Sequence, residues 1–285
     1  MNRLAPFAVF AFTGCIADVG SVDVPDEQSE VTTIGATTPD SFACFRPESA
    51  SSVNGGYSCQ GSPNLSLSTL CREGASYDVI VAPTAAEMTM GIVAPHGGGI
   101  ELGTDRIARQ LAADLHLPSY VLVAHPTDTC LDKYGGPTRS ARALHVTSTH
   151  FNDSRAESLM RSVNRGIAIH GHGGPNKICV GGITPALRTA FKHYYDTYTA
   201  QYSASGAIAV DAPGDSDCAG ITGTASANIS NRTGGHLGVQ LEMSRTFRNE
   251  LVASIDGTDH RLWISFRNAV RAVCRLNVDG VRGCF

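Results

Sequence analysis

Four side chains in this sequence are of the types that bind a metal ion and move protons. His96 stands in APHGGGIELGT and His170 in AIHGHGG. Each closes a short apolar run and each is followed at once by glycine. Glu101 comes five residues after His96, across a glycine turn. Two neutral imidazoles and one carboxylate are a usual protein set for a catalytic zinc ion, with the fourth position left open to water. Three consecutive glycines, Gly97 to Gly99, lose much conformational freedom on folding, yet they let the backbone turn back so that Glu101 and His96 converge. Glu242, in GVQLEMS, is a carboxylate near the end of an otherwise apolar strand, an expensive position without a partner. Beside the other three it would take a proton from the attacking water and return it to a leaving amine.

Other residues compete for or extend these roles. His172 is an alternative third ligand, though it lies further into the turn. His145 and His150 have odd spacing and point to opposite faces if their stretch is extended, so at most one faces the site; His150 is the substrate-side candidate. Asn231, Arg232, Arg245 and Arg248 flank Glu242, and arginine suits bidentate binding of carboxylates. The plain structural readings are that a His-Gly pair makes a turn, that Glu242 pairs with Arg245 or Arg248, and that Asn231 is glycosylated. Other chemistries lack support: G-x-S-x-G, G-x-x-x-x-G-K-[ST], H-E-x-x-H and C-x-x-C are all absent.

These residues require a scaffold that gathers strand ends. Apolar, β-branched runs at 77–82, 90–94, 119–124, 166–170, 177–182, 207–213 and 236–244 read as strands. Helical spacing marks 104–116, with Thr104 and Asp105 as caps. It also marks 154–164, 184–202 with Pro185 just inside the start, the segment after Ser244, and 259–273. The alternation predicts an α/β fold: a mixed, mostly parallel sheet with helices on both faces. Parallel sheets place ligands at the carboxyl ends of their strands, where His96 and His170 both fall.

The 285 residues include 42% hydrophobic and 17% charged residues, with a net charge of −4. That is a globular composition without a basic tract for nucleic acid. No apolar run reaches the length of a membrane span. Residues 1–17 have the layout of an export signal. Cys15, in FTGC, resembles a bacterial lipoprotein cleavage box with Phe12 in place of the usual leucine, so the expected location is outside the cytoplasm, freely secreted or held to the membrane by a lipid anchor. Residues 18–42 read as a polar tether and 43–285 as one catalytic domain. Of nine cysteines, eight remain after Cys15, and in an exported chain these predict disulfides of unspecified pairing. Sequons stand at Asn64, Asn152, Asn228 and Asn231.

APHGGGIELGT, LHVTSTHF, IAIHGH, NISNR and GVQLEMSRTFR, in that order, resemble the phage-type poly-γ-glutamate hydrolases, a family related in fold to the zinc carboxypeptidases. The likeness runs from about Leu70 to about Leu251. It implies an enzyme with one Zn2+ ion that cleaves γ-linked glutamyl amide bonds of an anionic polymer, poly-γ-glutamate; a monomer is expected. His96 and Glu101 match the family's first metal motif, His170 the strand-end histidine that completes it, and Glu242 the general base. The spacing H-x-x-x-x-E differs from the H-x-x-E of the larger zinc carboxypeptidases. The segments around 126–141 and 212–226 are extra and expected near the substrate groove. Peptidoglycan peptides or N-acyl amino acids are alternative substrates, and a non-catalytic polymer binder is the remaining alternative.

Overall fold

The structure is a computed structural model that describes residues 77–82, 89–125, 145, 147–278, 280, 281 and 284. The expected export signal (residues 1–17) and tether (18–42), with Cys15, Cys44, Cys59, Cys71, Cys130, Asn64 and residues 126–141, lie outside the described residues. Seven strands form one sheet: β1 (Tyr77–Ala82), β2 (Met90–Gly98), β3 (Ser119–Ala124), β4 (Arg165–His172), β5 (Lys177–Gly181), β6 (Ile208–Asp211) and β7 (Leu237–Ser244). Their spatial order is β1-β3-β2-β4-β7-β5-β6. Four of the six neighbouring pairs are parallel; β1 runs against β3 and β5 against β7. The mixed, mostly parallel α/β class expected from the alternation is the one observed.

Period-two alternation splits the strand residues between two cores. On one face Ile92, Ala94, Val121, Ile167, Ile169, Val239 and Leu241 pack with apolar residues of α1 (Thr104–Leu115), α3 (Pro185–Gln201), α4 (Arg245–Asp256) and α5 (Arg261–Arg275). On the other, Val93, Tyr120, Leu122 and Ala168 meet α2 (Ser154–Ser162) and Phe151. Pro185 opens α3 as expected. Thr104 and Asp105 do not cap α1: the cap position is Gly103, in the left-handed region with φ 91°. Instead the Thr104 hydroxyl donates to the Glu101 carbonyl (2.9 Å), and Asp105 accepts from the Gly98 N–H (3.1 Å). Both side chains serve the glycine turn rather than the helix.

Two disulfides lie among the described residues, Cys179–Cys218 and Cys274–Cys284. Of the described sequons, Asn228 and Asn231 are buried, and only Asn152 is exposed.

Candidate metal centre and flanking hollows

His96 reaches the site because of an irregularity in β2. Strict alternation would put it on the α1 face with Ala94. Against β3, however, the three-residue step from Ala94 to Gly97 spans only the two-residue step from Val121 to Val123, a bulge. The extra residue reverses the phase. Ala94 and Gly97 both face α1, where a side chain on Gly97 would collide with Asp105, and His96 turns to the opposite face. There it meets His170, which shares that face with Ala168. Gly98 takes φ +63° and lies against the backbone of Ala124. The turn closes with the Glu101 N–H donating to the His96 carbonyl (2.8 Å), so the glycines do fold Glu101 back beside His96.

The three side chains then converge. His96 Nδ1 lies 3.0 Å from Glu101 Oε1 and 3.1 Å from His170 Nδ1; His170 Nδ1 is 3.7 Å from Glu101 Oε2. They are 2%, 9% and 1% exposed. Ligand atoms about 2.0–2.2 Å from a tetrahedral zinc stand roughly 3.3 Å apart, so this donor set fits the ion in type and in spacing. Its support also fits. In the tautomer with its proton on Nε2, His170 donates to Ser148 Oγ (2.9 Å), which turns the Nδ1 lone pair to the group. The Gly171 N–H donates to Glu101 Oε2 (2.7 Å). Burial opposes ionisation of Glu101, but the adjacent His96 and His170 outweigh it and hold the carboxyl well below the usual range.

Glu242 sits beside His170 as its ladder partner between β7 and β4. It is 6% exposed, and burial pushes its pKa up to about 7, with the charge of Glu101 adding to the shift and His170 and Arg248 opposing it. Gln240, two residues earlier on the same face, donates to Glu242 Oε1 (2.8 Å) and accepts from Asn228 Nδ2 (2.6 Å).

Two hollows meet at this group. One, of about 460 Å³, is lined by Glu242, Gln240, Asn228, Thr147–Thr149 and the wall Gly220–Ala225. The other, of about 510 Å³, is lined by Gly99–Leu102, Gly171–Gly173, Arg245 and Arg248. Glu101, His145, Gly171 and His172 border both.

Of the remaining candidates, Arg245 is exposed at the rim of the second hollow. Arg248 is buried under Gly171, donating from Nε to the Leu102 carbonyl (2.8 Å) and from Nη1 to the Met243 carbonyl (2.5 Å), so it clamps the glycine turn to β7. Neither arginine forms an ion pair with Glu242 among the described contacts. Asn231 and Arg232 border neither hollow. Asn231 donates to the Gly223 and Ala225 carbonyls, and Arg232 bonds the Ala227, Phe151 and Thr149 carbonyls and the Glu157 carboxylate. His172 has one ring nitrogen near the Lys177 carbonyl (3.2 Å) and accepts on the other from the Gly174 N–H (3.0 Å), so it stands outside the converging set.

Residues 148–150 form a turn, so the alternation argument for His145 and His150 has no strand to act on. His150 is exposed and bonded to Thr147 Oγ1 (2.9 Å). It is His145 that lies against the His96 ring, with centroids 4.2 Å apart. The sequence assigns no site role to Ser148, Gln240 or Asn228, the last marked only as a sequon. Gln240 carried a signal, because period two puts it on the face of Glu242; Ser148 and Asn228 carried none.

A sequence model of the family described as poly-gamma-glutamate hydrolase matches residues 65–263. The chain belongs to that family. Among curated relatives, the SPbeta prophage-derived UPF0714 protein YoqZ of Bacillus subtilis is 28% identical over 196 residues, 67% of this chain and 63% of its own length. UPF0714 protein YndL of the same organism is 28% identical over 177 residues, 62% of this chain and 61% of its own length. The chain thus spans somewhat under two thirds of these relatives. A solved structure of a bacteriophage poly-gamma-glutamate hydrolase superposes with a TM-score of 0.54 at 22% identity, covering 70% of this chain and 89% of that one. A zinc-free structure of YndL gives 0.53 at 24%, covering 73% and 90%. Both likenesses establish the shared fold.

Proposed function

We propose that this family member is a zinc-dependent hydrolase that cleaves γ-glutamyl amide bonds, with poly-γ-glutamate as its substrate. The observation that carries the reading is the convergence of His96, Glu101 and His170 beside the buried carboxyl of Glu242. His96, Glu101 and His170 would hold one zinc ion. When bound, the ion supplies a Lewis acid that polarises a carbonyl and makes a nearby water a better nucleophile at neutral pH. Glu242 accepts the proton of the attacking water and returns it to the leaving nitrogen. Burial raises the pKa of its carboxyl in the metal-free protein, which favours taking up a proton from the attacking water. Gln240 holds the carboxylate by one oxygen, leaving the other to work. Arg245 offers a guanidinium to substrate carboxylates from the rim of the second hollow. Export suits a polymer that lies outside the cell, and two disulfides suit an oxidising compartment.

The test is to incubate purified protein with poly-γ-glutamate and, in parallel, with γ-D-glutamyl peptides of peptidoglycan and N-acyl amino acids, and to measure released amines. Fragments from the polymer, abolished by chelation and in His96→Ala, are expected. A His96→Ala protein that cleaves as fast as wild type refutes the reading. Cleavage of only the peptidoglycan peptides or only the N-acyl amino acids moves the substrate assignment, and binding without cleavage makes the protein a polymer binder.

A further inference from the structure

The wall Gly220–Ala225 belongs to the segment that is extra relative to the resembled family, and it is tied to Glu242 by a continuous path. Cys179 on β5 is the ladder partner of Glu242 on β7. Directly opposed residues of an antiparallel pair share a face, so the Cys179 side chain stands beside that of Glu242. Its disulfide partner, Cys218, precedes the wall by two residues, and both cysteines are buried. The Ile221 N–H donates to the Cys218 carbonyl (3.1 Å), and the Ile221 side chain packs on the disulfide and Ala212. The Ile221 carbonyl in turn accepts from Gln240 Nε2 (3.3 Å), the same amide nitrogen that donates to Glu242 Oε1. Gly223, at φ +61°, lies so close to Gln240 that an added Cβ would stand 2.8 Å from its side-chain carbon. Lys177 pins the same segment through Asp215 (2.9 Å) and Asp217 (2.6 Å), and Asn231 holds its far end.

We infer that the Cys179–Cys218 disulfide is a positioning element for catalysis: by fixing the wall, it fixes the Gln240 amide and through it the Glu242 carboxylate. The inference rests on the proposed role of Glu242. Physically, a carboxylate that must reach both the attacking water and the leaving nitrogen tolerates little drift, since a misplacement of about 1 Å can cost on the order of a hundredfold in rate. The second disulfide, Cys274–Cys284, ties α5 to a segment ten residues further along and borders neither hollow. It is the internal control for loss of a cross-link as such.

The experiment compares wild type, Cys179→Ala/Cys218→Ala and Cys274→Ala/Cys284→Ala on poly-γ-glutamate, with zinc content and thermal unfolding measured on each. The first variant is expected to lose about tenfold to a hundredfold in kcat, with KM within about twofold of wild type and zinc content intact. The second is expected to lower Tm and leave kcat unchanged. Equal kcat losses in the two variants, or an unchanged kcat in the first, overturn the inference. Where the first variant does not fold, Gly223→Ala decides. It keeps the disulfide, strains the backbone at φ +61° and pushes on Gln240, so Tm drops, and kcat falls with KM and zinc content intact if the inference holds; an unchanged kcat overturns it. Wild-type protein inactive on every substrate tested would instead overturn the proposed activity, which separates the two failures.

Discussion

The two hollows share a floor and differ in their walls. The Glu242 side is built of hydroxyls, amides and backbone carbonyls: Thr147, Thr149, Thr222, Thr224, Asn228 and Gln240, fixed by a disulfide and several hydrogen bonds. The Arg245 side is built of glycine backbone, the apolar Ile100 and Leu102, and two guanidiniums, one clamped and one exposed. The first arrangement suits moving a proton with little drift. The second suits greeting a carboxylate at long range and releasing it. On the proposed reading, chemistry and charge recognition fall on opposite sides of the His96, Glu101 and His170 group, and substitutions on the two sides should separate kcat from KM.

The largest effect is expected from the shared floor. His96→Ala or His170→Ala should abolish zinc retention and lower activity by about a thousandfold or more, since the proposed ion would supply the electrophile; metal analysis alongside a polymer assay checks both. Next, Glu242→Gln should lower kcat by roughly 10²–10⁴ with KM and zinc content nearly unchanged, read by steady-state kinetics. A fall in KM affinity with kcat intact would erase the proposed division of labour. Ser148→Ala removes the acceptor that orients His170 and should weaken zinc binding about 10–100-fold, measured by competition with a chelating dye. Arg245→Ala should raise KM about fivefold with kcat preserved, the size of an exposed charge contact of about 1 kcal/mol; the rise should shrink in high salt.

The smallest effect is on stability. Burial raises the folded-state pKa of Glu242 from 4.5 to about 7, so the folded protein binds this proton more tightly than the unfolded chain. In metal-free protein its contribution to stability is therefore fully present below about pH 4.5 and is lost as pH rises through about 7. Glu242→Gln should flatten that part of the profile, measured by chemical denaturation at a series of pH values.

Much of this was legible in the residues. His96 and His170 could be placed because each closes an apolar run before glycine, and parallel strands align their ends. Glu101 could be placed because the glycines between it and His96 allow a tight return. What the sequence hid depends on long-range packing. The bulge that turns His96 to the face of His170 is visible only against β3. Arg248 reads as a substrate residue until the missing side chain of Gly171 is seen to make room for its guanidinium. Asn231 and Arg232 neighbour the motif but spend their donors on loop carbonyls, because a short 3-10 turn at Ile229–Asn231 aims them away from the hollows. The odd spacing of His145 and His150 misleads because the segment turns instead of extending.

The central claim is that His96, Glu101 and His170 form one zinc site. Calorimetric titration of zinc into metal-free protein tests it most directly. One ion per chain bound by wild type, and none bound at that site by His170→Ala with its fold retained, is the predicted result. A wild-type chain that takes up no stoichiometric zinc, or a His170→Ala chain that binds it as tightly as wild type, would contradict it.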